Sequence, residues 1–144
     1  MGRTKEKFIK EAIKKYIKDI GTMAAVEVLE IKEVKGVFSE KRKTADALRE
    51  EGERILRQTH DFILLDEKGK MMTSTEFAGF FKDKNSCRFV VGGPYGVSDR
   101  VKDAASMRVS LSPMTFPHEL ARVVLLEQIY RGLSIVKGKG YHHE

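Results

Sequence analysis

Apolar side chains recur at helical spacing in the first part of the chain. Between residues 5 and 20 they fall on one face of a helix. The members of this face are Phe8, Ile9, Ala12, Ile13, Tyr16, Ile17 and Ile20. Gly21 is a natural stop, and a second helix is predicted from about Thr44 to Gln58, after a polar connection over 36–43. Both segments predict helices that bury one face in a core.

Short apolar runs in the chain predict strands. Residues 62–65 and 89–91 are continuously apolar, which is typical of strands buried on both faces. The runs 26–31 and 107–111 are two further strand candidates. The polar stretch 66–69 is expected to end the first of the buried strands.

Helical stretches separate most of these strands. Residues 73–81 predict a short helix that begins with a capping box of Thr73 and Glu76. Ser98 can cap a helix through about 105, and a long helix is predicted over 117–131. The alternation predicts an α/β fold with a parallel sheet, right-handed crossovers and helices on both faces.

The ends of the strands locate a candidate ligand site. In open parallel sheets ligands bind beyond the carboxyl ends of the strands, which lie here at Leu65, Gly92 and Leu111. The motif Gly92-Gly-Pro-Tyr-Gly96 allows a backbone to approach a ligand closely. A tight strand-to-helix turn without a ligand explains the glycines equally well. The motif is neither a Walker A loop nor a dinucleotide-binding fingerprint.

The loop Ser110-Leu-Ser-Pro-Met-Thr-Phe-Pro-His-Glu119 is a second sign of a ligand. It carries Leu111, Met114 and Phe116, three apolar side chains in what should be a surface loop. Two prolines stiffen it. A rigid apolar loop suits a flat adenine ring, and a stiff entry into the next helix is the alternative interpretation.

The last long helix is apolar around nearly its whole circumference over 120–130, which predicts burial on most sides, with a subunit interface as the second cover. His118 and Arg122 lie four residues apart, on one face near the helix start. Glu127 and Arg131 are interpreted as an ordinary surface pair without a function.

Charge and the C-terminal tail both bear on a nucleic-acid partner. The 27 Lys and Arg residues exceed the 21 Asp and Glu residues, giving a net charge of +6, which is compatible with RNA. A lysine-rich helix is nevertheless usually a solvated face. The tail, 138–144, is either a frayed end or an RNA-facing segment in which Tyr141 stacks on a base.

Length and composition set further bounds. The 144 residues, 41% hydrophobic and 33% charged, suit one domain over 1–144. There is no apolar run long enough for a membrane span and no secretory signal, so we expect no membrane partner and a cytoplasmic protein. The single cysteine, Cys87, is expected to be a small buried hydrophobe. The four histidines lack zinc spacing, so no metal is expected.

Four ordered motifs point to one known family. They are Gly92-Gly-Pro-Tyr-Gly96, Ser110-Leu-Ser-Pro-Met-Thr-Phe-Pro-His118, Ala121-Arg-Val-Val-Leu-Leu-Glu-Gln-Ile-Tyr-Arg131 and Tyr141-His142. Together they resemble the RlmH family of SPOUT-superfamily methyltransferases, which modify ring nitrogen 3 of a pseudouridine in 23S ribosomal RNA. The resemblance extends over nearly the whole chain, including 5–13 and 52–56.

The resemblance implies a single SPOUT-type domain with a C-terminal trefoil knot, a homodimer, and S-adenosylmethionine as methyl donor to ribosomal RNA on assembled ribosomes. Family cofactor positions fall on Leu65, Gly92, Leu111, Ser112, Pro113, Met114, Thr115 and Phe116. Catalytic or RNA-side positions fall on His118, Arg122, Tyr141 and His142. His142 or His118 is the candidate base, and stabilisation of the anion by Arg122 is the alternative.

One feature departs from the family pattern, and two alternative functions stay open. Family members usually open with a short apolar strand before the glycine that matches Gly2, whereas Met1 directly precedes it here. We therefore expect either a missing first strand or a truncated sequence. The rivals are a non-enzymatic RNA-binding or ribosome-assembly factor on the same fold and a flavodoxin-like nucleotide binder. The apolar loop argues against both, because phosphate binding has no need of it.

Overall fold

Strands alternate with helices after the second helix, as the sequence predicts. A computed structural model of the protein describes residues 6–34 and 41–143. The helices are α1 (Lys7–Gly21), α2 (Lys41–Gln58), α3 (Ser74–Ala78), α4 (Asp99–Ala104) and α5 (His118–Val136), with a 3₁₀ turn at Gly79–Phe81. The strands are β1 (Ile63–Met71), β2 (Phe89–Val91) and β3 (Met107–Ser110).

The sheet is parallel and has β1 at its centre. Across the described residues its strand order is β2-β1-β3. Ile63 is paired with Phe89 on one side and with Met107 on the other. The central position explains the apolar run at the start of β1, because both faces of this strand are covered. The predicted α/β class with a parallel sheet is confirmed.

Helices cover both faces of the sheet. On one face, Ile55 of α2 and Val101 of α4 pack with Phe62 and Leu64 in a buried cluster. On the other face, the ring of Phe89 stacks on Phe77 of α3, with ring centres 5.6 Å apart. Helix α5 packs against α1 and α3 on that face. Alternate residues of each strand therefore face two different cores.

The capping box of the third helix is confirmed. The hydroxyl of Thr73 accepts a hydrogen bond from the backbone N–H of Glu76 at 3.2 Å, and the Thr73 N–H donates to the Glu76 carboxylate at 2.7 Å. These bonds lower the pKa of Glu76. Ser98 occupies the N-cap position of α4, but its side chain makes no capping bond, so that prediction is half right.

The first strand does not end at 66–69. β1 continues to Met71, and its pairing with β3 shifts between Leu65 and Lys70. Gly69 lies so close to Arg108 that a Cβ there would be 2.6 Å from the Arg108 carbonyl carbon. The polar residues therefore form an irregularity within the strand rather than its end.

The strand predicted at 26–31 is absent from the described structure, where the segment has no regular secondary structure. Val28 and Leu29 are more than half exposed. Side chains of α2 hold the neighbouring backbone instead: Glu51 accepts from the Val34 N–H at 2.9 Å, and Arg54 donates to the Lys32 carbonyl at 2.8 Å. An apolar run becomes a strand only where another strand offers its backbone.

Other boundaries differ modestly. Residues 41–43, predicted as part of a connection, belong to α2, and α5 continues five residues past Arg131. Met1 and Gly2, on which the missing first strand depends, lie outside the described residues. The trefoil knot stays a prediction. Within the described ranges, no helix has the length and apolar character needed to cross a membrane.

Candidate active site

A cleft of about 500 Å³ opens at the carboxyl ends of β2 and β3, beside the irregularity of β1. This volume lies in the range typical of small-molecule sites. Seven of the eight predicted cofactor positions line it: Leu65, Gly92, Leu111, Ser112, Met114, Thr115 and Phe116. Pro113 is the exception, since it belongs to the same loop but does not line the cleft.

The glycine turn after β2 forms one wall of the cleft. Gly96 has a φ of +76°, a backbone conformation that favours glycine, and its N–H donates to the Gly93 carbonyl at 3.0 Å. Gly92 leaves little room for a side chain, since a Cβ there would be 3.1 Å from the Gly96 carbonyl carbon. The glycines of the turn therefore present backbone to a ligand, next to Pro94 and Tyr95, which also line the cleft.

The loop after β3 forms the opposite wall. The hydroxyl of Ser110 donates to the Ser112 carbonyl at 2.9 Å, and the Ser112 hydroxyl accepts from the Met114 N–H at 3.0 Å. The hydroxyl of Thr115 donates to the Glu67 carboxylate at 3.0 Å, which ties the loop to β1. These bonds hold Met114, which is 73% exposed, at the rim of the cleft. An apolar rim on a braced loop fits a flat heterocycle.

His118 stands at the cleft, and Arg122 lies nearby on α5. Burial, followed by the charge of Arg122, lowers the pKa of His118, with Glu119 and Glu33 acting in the opposite direction. The imidazole is therefore neutral near pH 7 and can accept a proton. Burial also lowers the pKa of Arg122, which Glu30 opposes. Arginine still keeps its charge at any physiological pH.

The tail folds back on α5 at a different place. The Tyr141 ring packs edge-on against Tyr130 with centres 4.6 Å apart, and its hydroxyl donates to Glu127 at 3.3 Å. Arg131 lies 3.3 Å from His142, between Nη1 and Nδ1, and donates to Glu127 through Nε at 3.0 Å. The predicted pair of Glu127 and Arg131 is confirmed, and the structure adds contacts between this pair and the tail.

Within one chain, the four predicted RNA-side residues form two groups. His118 and Arg122 lie in the first turns of α5, beside the cleft. Tyr141 and His142 contact Arg131, which is thirteen residues along the same helix from His118. At a rise of about 1.5 Å per residue, about 20 Å of helix lies between His118 and Arg131 and about 14 Å between Arg122 and Arg131. The chain by itself does not bring them together.

The comparison with known families accords with this geometry. A family model described as "Predicted SPOUT methyltransferase" matches residues 1–142. The chain belongs to this SPOUT methyltransferase family. That membership confirms the SPOUT resemblance drawn from the four motifs.

Individual relatives match along almost their full length. A protein of Thermodesulfovibrio yellowstonii named ribosomal RNA large subunit methyltransferase H is 50% identical, over 99% of this chain and 94% of the relative. Proteins of the same name from Maridesulfovibrio salexigens and Cytophaga hutchinsonii are 41% and 40% identical. Each aligns over 99% of this chain, and over 94% and 96% of the relative, respectively.

Charged residues of the cleft were missed at the sequence level. Asp66, Glu67, Lys102 and Arg108 all line it, and Arg108 lies 3.3 Å from the Asp66 carboxylate. The sequence contains a signal for them, because two carboxylates directly follow the buried run of β1, but the same polar pattern is typical of a strand end. Lys68 lines the cleft as well, so three cationic side chains and two acids give it both signs of charge. No metal-binding group of three His, Cys, Asp or Glu occurs within 6–34 and 41–143.

Proposed function

We propose that this protein transfers a methyl group from S-adenosylmethionine to 23S ribosomal RNA, at ring nitrogen 3 of a pseudouridine, on assembled ribosomes. The single observation that carries the proposal is the cleft between the glycine turn and the braced apolar loop, in a chain of the SPOUT methyltransferase family. The name shared by its relatives supports large-subunit ribosomal RNA as the substrate.

The cleft residues fit the methyl donor in shape and charge. When bound, S-adenosylmethionine supplies an electrophilic methyl group on a sulfonium. Met114 and Phe116 offer an apolar surface to an adenine, and Gly92 lets the backbone come close to the ligand. Leu65, Leu111, Ser112, Pro113 and Thr115 complete the proposed binding set. Carboxylates (Asp66, Glu67) and cations (Lys68, Lys102, Arg108) both line the cleft, which suits a ligand that carries both signs of charge, as S-adenosylmethionine does.

Proton removal and orientation are the tasks of the remaining residues. The target nitrogen belongs to a ring imide, which must lose a proton before it attacks. His118 is neutral near pH 7 and lines the cleft, so it is one candidate base, and His142 is the other. Arg122 can stabilise the imide anion. Correct orientation of the nitrogen supplies the largest share of the rate, about 7–11 kcal/mol in well-aligned cases.

A homodimer gives the two separated groups a common site. Tyr141 and His142 of one subunit would meet the cleft and His118 of the other, because within a chain about 20 Å of helix lies between His118 and Arg131, which they contact. Exposed apolar side chains beside the cleft support a partner there: Tyr95 is 53% exposed and Met114 is 73% exposed. We also propose a single domain over the whole chain and a cytoplasmic location, where ribosomes are found.

Calorimetry tests whether the protein binds the methyl donor. Wild-type protein should bind S-adenosylmethionine and its demethylated product with one site per chain. FMN serves as the negative ligand, since binding of FMN alone would favour the flavodoxin-like rival. If the folded protein binds ribosomes but neither S-adenosylmethionine nor its product, the non-enzymatic RNA-binding factor replaces the enzyme.

Mixing of variants tests the shared site. A cleft variant, Gly92→Val, and a tail variant, Tyr141→Ala with His142→Ala, should each be inactive as homodimers. After mixing and subunit exchange, the heterodimer has one intact site and should recover up to about a quarter of wild-type activity per chain. Unchanged inactivity in the mixture, with exchange shown by mass spectrometry, would contradict a site shared between subunits.

A further inference from the structure

Helix α1 carries a row of lysines on its exposed side, referred to below as the lysine stripe. Its members are Lys7, Lys10, Lys14 and Lys18, all of which are exposed. At about 100° per residue they fall within an arc of about 80° and extend along about 16 Å of the helix. Ile9 and Ile20 lie on the opposite side and are buried. The stripe is therefore a continuous cationic edge of the molecule.

Most of this charge has no counter-charge among the described residues. Lys7 is 3.9 Å from Glu11, and both side chains are largely exposed. Among residues 6–34 and 41–143, no acidic group lies within 4 Å of Lys10, Lys14 or Lys18. Surface lysines of this kind add little to stability, so the fold does not explain the row.

Helix α1 meets α5 and the tail through a face that does not include the lysine stripe. The end of α1 is fastened to the end of α5, since Lys137 donates to the Met23 carbonyl at 2.6 Å and Ser134 lies 3.8 Å from the Met23 sulfur. The tail packs on the same helix through Tyr130. Burial, then Glu127, then Tyr16 of α1 raise the pKa of Tyr141. At about 100° per residue, Tyr16 lies about 160° around the helix from Lys14 and Lys18, so the side of α1 that faces the tail leaves the stripe open to solvent.

We propose that the lysine stripe binds the phosphate backbone of ribosomal RNA. Lysine is a point charge that contacts phosphates without reading sequence, so the stripe supplies affinity and the cleft supplies selectivity. This inference rests on the proposed function and adds to it a binding surface outside the cleft.

The composition of the stripe favours RNA over an acidic protein. Protein interfaces are depleted in lysine and enriched in aromatic residues at their centres. The stripe has four lysines with one acid, Glu11, at its edge, and no apolar side chain lies within its arc. A row of ammonium groups without an apolar centre suits a polyanion whose charges also lie in a row.

The test compares two double variants with equal loss of charge. Lys10→Glu with Lys14→Glu removes the middle of the stripe, and Lys82→Glu with Lys84→Glu changes two exposed lysines in the loop before β2, at the opposite end of the sheet from the cleft. Binding to protein-free 23S ribosomal RNA and to ribosomes is measured at several salt concentrations, with calorimetry of S-adenosylmethionine as the check on folding.

The stripe variant should bind both RNA and ribosomes about tenfold more weakly at low salt. The slope of log K against log salt should become less steep by about 2, because each of the two substituted lysines no longer neutralises a phosphate. Binding of S-adenosylmethionine should stay at the wild-type level, and the loop variant should behave as wild type in every assay.

Two results would overturn the inference. Equal weakening in both double variants would mean that net charge, not the stripe, sets the affinity. A stripe variant that loses ribosomes but keeps naked RNA would identify a ribosomal protein as the partner. Both results leave methylation by the wild type intact, so they are distinguishable from failure of the proposed function, in which the wild type itself neither binds the donor nor methylates.

Discussion

Arg131 lies 3.3 Å from His142, between Nη1 of the guanidinium and Nδ1 of the imidazole. The guanidinium is also 4.8 Å from the centre of the Tyr141 ring. Its partner Glu127 raises the pKa of Arg131 through a hydrogen bond and accepts a second bond from Tyr141. One ion pair on α5 therefore sets the position of both tail residues that are proposed to contact RNA.

Glu127→Gln should lower the methylation rate by up to about 100-fold. The substitution weakens the ion pair with Arg131 and so displaces the tail, and a misplacement of about 1 Å can reduce a rate by that factor. Affinity for S-adenosylmethionine should stay unchanged, since Glu127 does not line the cleft. Glu53→Gln is the matched control, as it removes an ion pair with Arg100 elsewhere on the surface. Wild-type activity in the Glu127→Gln variant would show that the Glu127–Arg131 pair is not needed to position the tail.

Much of this architecture could be predicted from the sequence. The helical spacing of apolar side chains predicted α1, and continuous apolar runs predicted β1 and β2. The ends of the predicted strands indicated where the cleft lies. The prediction of a strand over 26–31 was wrong because a strand needs a neighbouring strand, and the apolar run itself does not encode that pairing. The role of Arg131 was missed for a similar reason: its partners Tyr141 and His142 are ten and eleven residues away, beyond the end of the helix.

Gly92→Ala should weaken binding of S-adenosylmethionine by about tenfold or more. The added Cβ would lie 3.1 Å from the Gly96 carbonyl carbon and 3.2 Å from the Val97 side chain, so the turn must shift. Gly21→Ala is the control, because a Cβ there meets nothing within 4 Å. The affinities are measured by calorimetry, and equal values for both variants would remove the turn from the site.

The pH dependence of stability should reveal the neutral state of His118. Its folded pKa is below the ordinary value of 6.5, so the unfolded chain binds more protons as the pH falls past 6.5. His118 therefore lowers stability on acidification and is without effect well above that pH. His118→Gln should show a smaller drop in Tm between pH 7.5 and pH 5.5 than the wild type, measured by calorimetry. An identical drop would mean that His118 binds protons as readily in the folded state.

Gly132 of α5 lies close to Phe81 of the 3₁₀ turn. A Cβ there would be 2.7 Å from a ring carbon of Phe81, so Gly132→Ala should cost about 1–3 kcal/mol of unfolding free energy. A loss of this size lowers the Tm by roughly 2–4 °C per kcal/mol in a domain of this length. Adding Phe81→Leu should restore part of the loss, and denaturant unfolding of the three variants measures it. A fully stable Gly132→Ala protein would contradict this packing.

The most direct measurement is methyl transfer itself. Purified protein is incubated with S-adenosylmethionine carrying a labelled methyl group and with ribosomes, and in parallel with free 23S RNA; the RNA is then digested and its nucleosides are separated. The account predicts label in one pseudouridine of 23S RNA, at ring nitrogen 3, with assembled ribosomes as the better substrate. Absence of label from both substrates, with protein that is folded and binds S-adenosylmethionine, would contradict it.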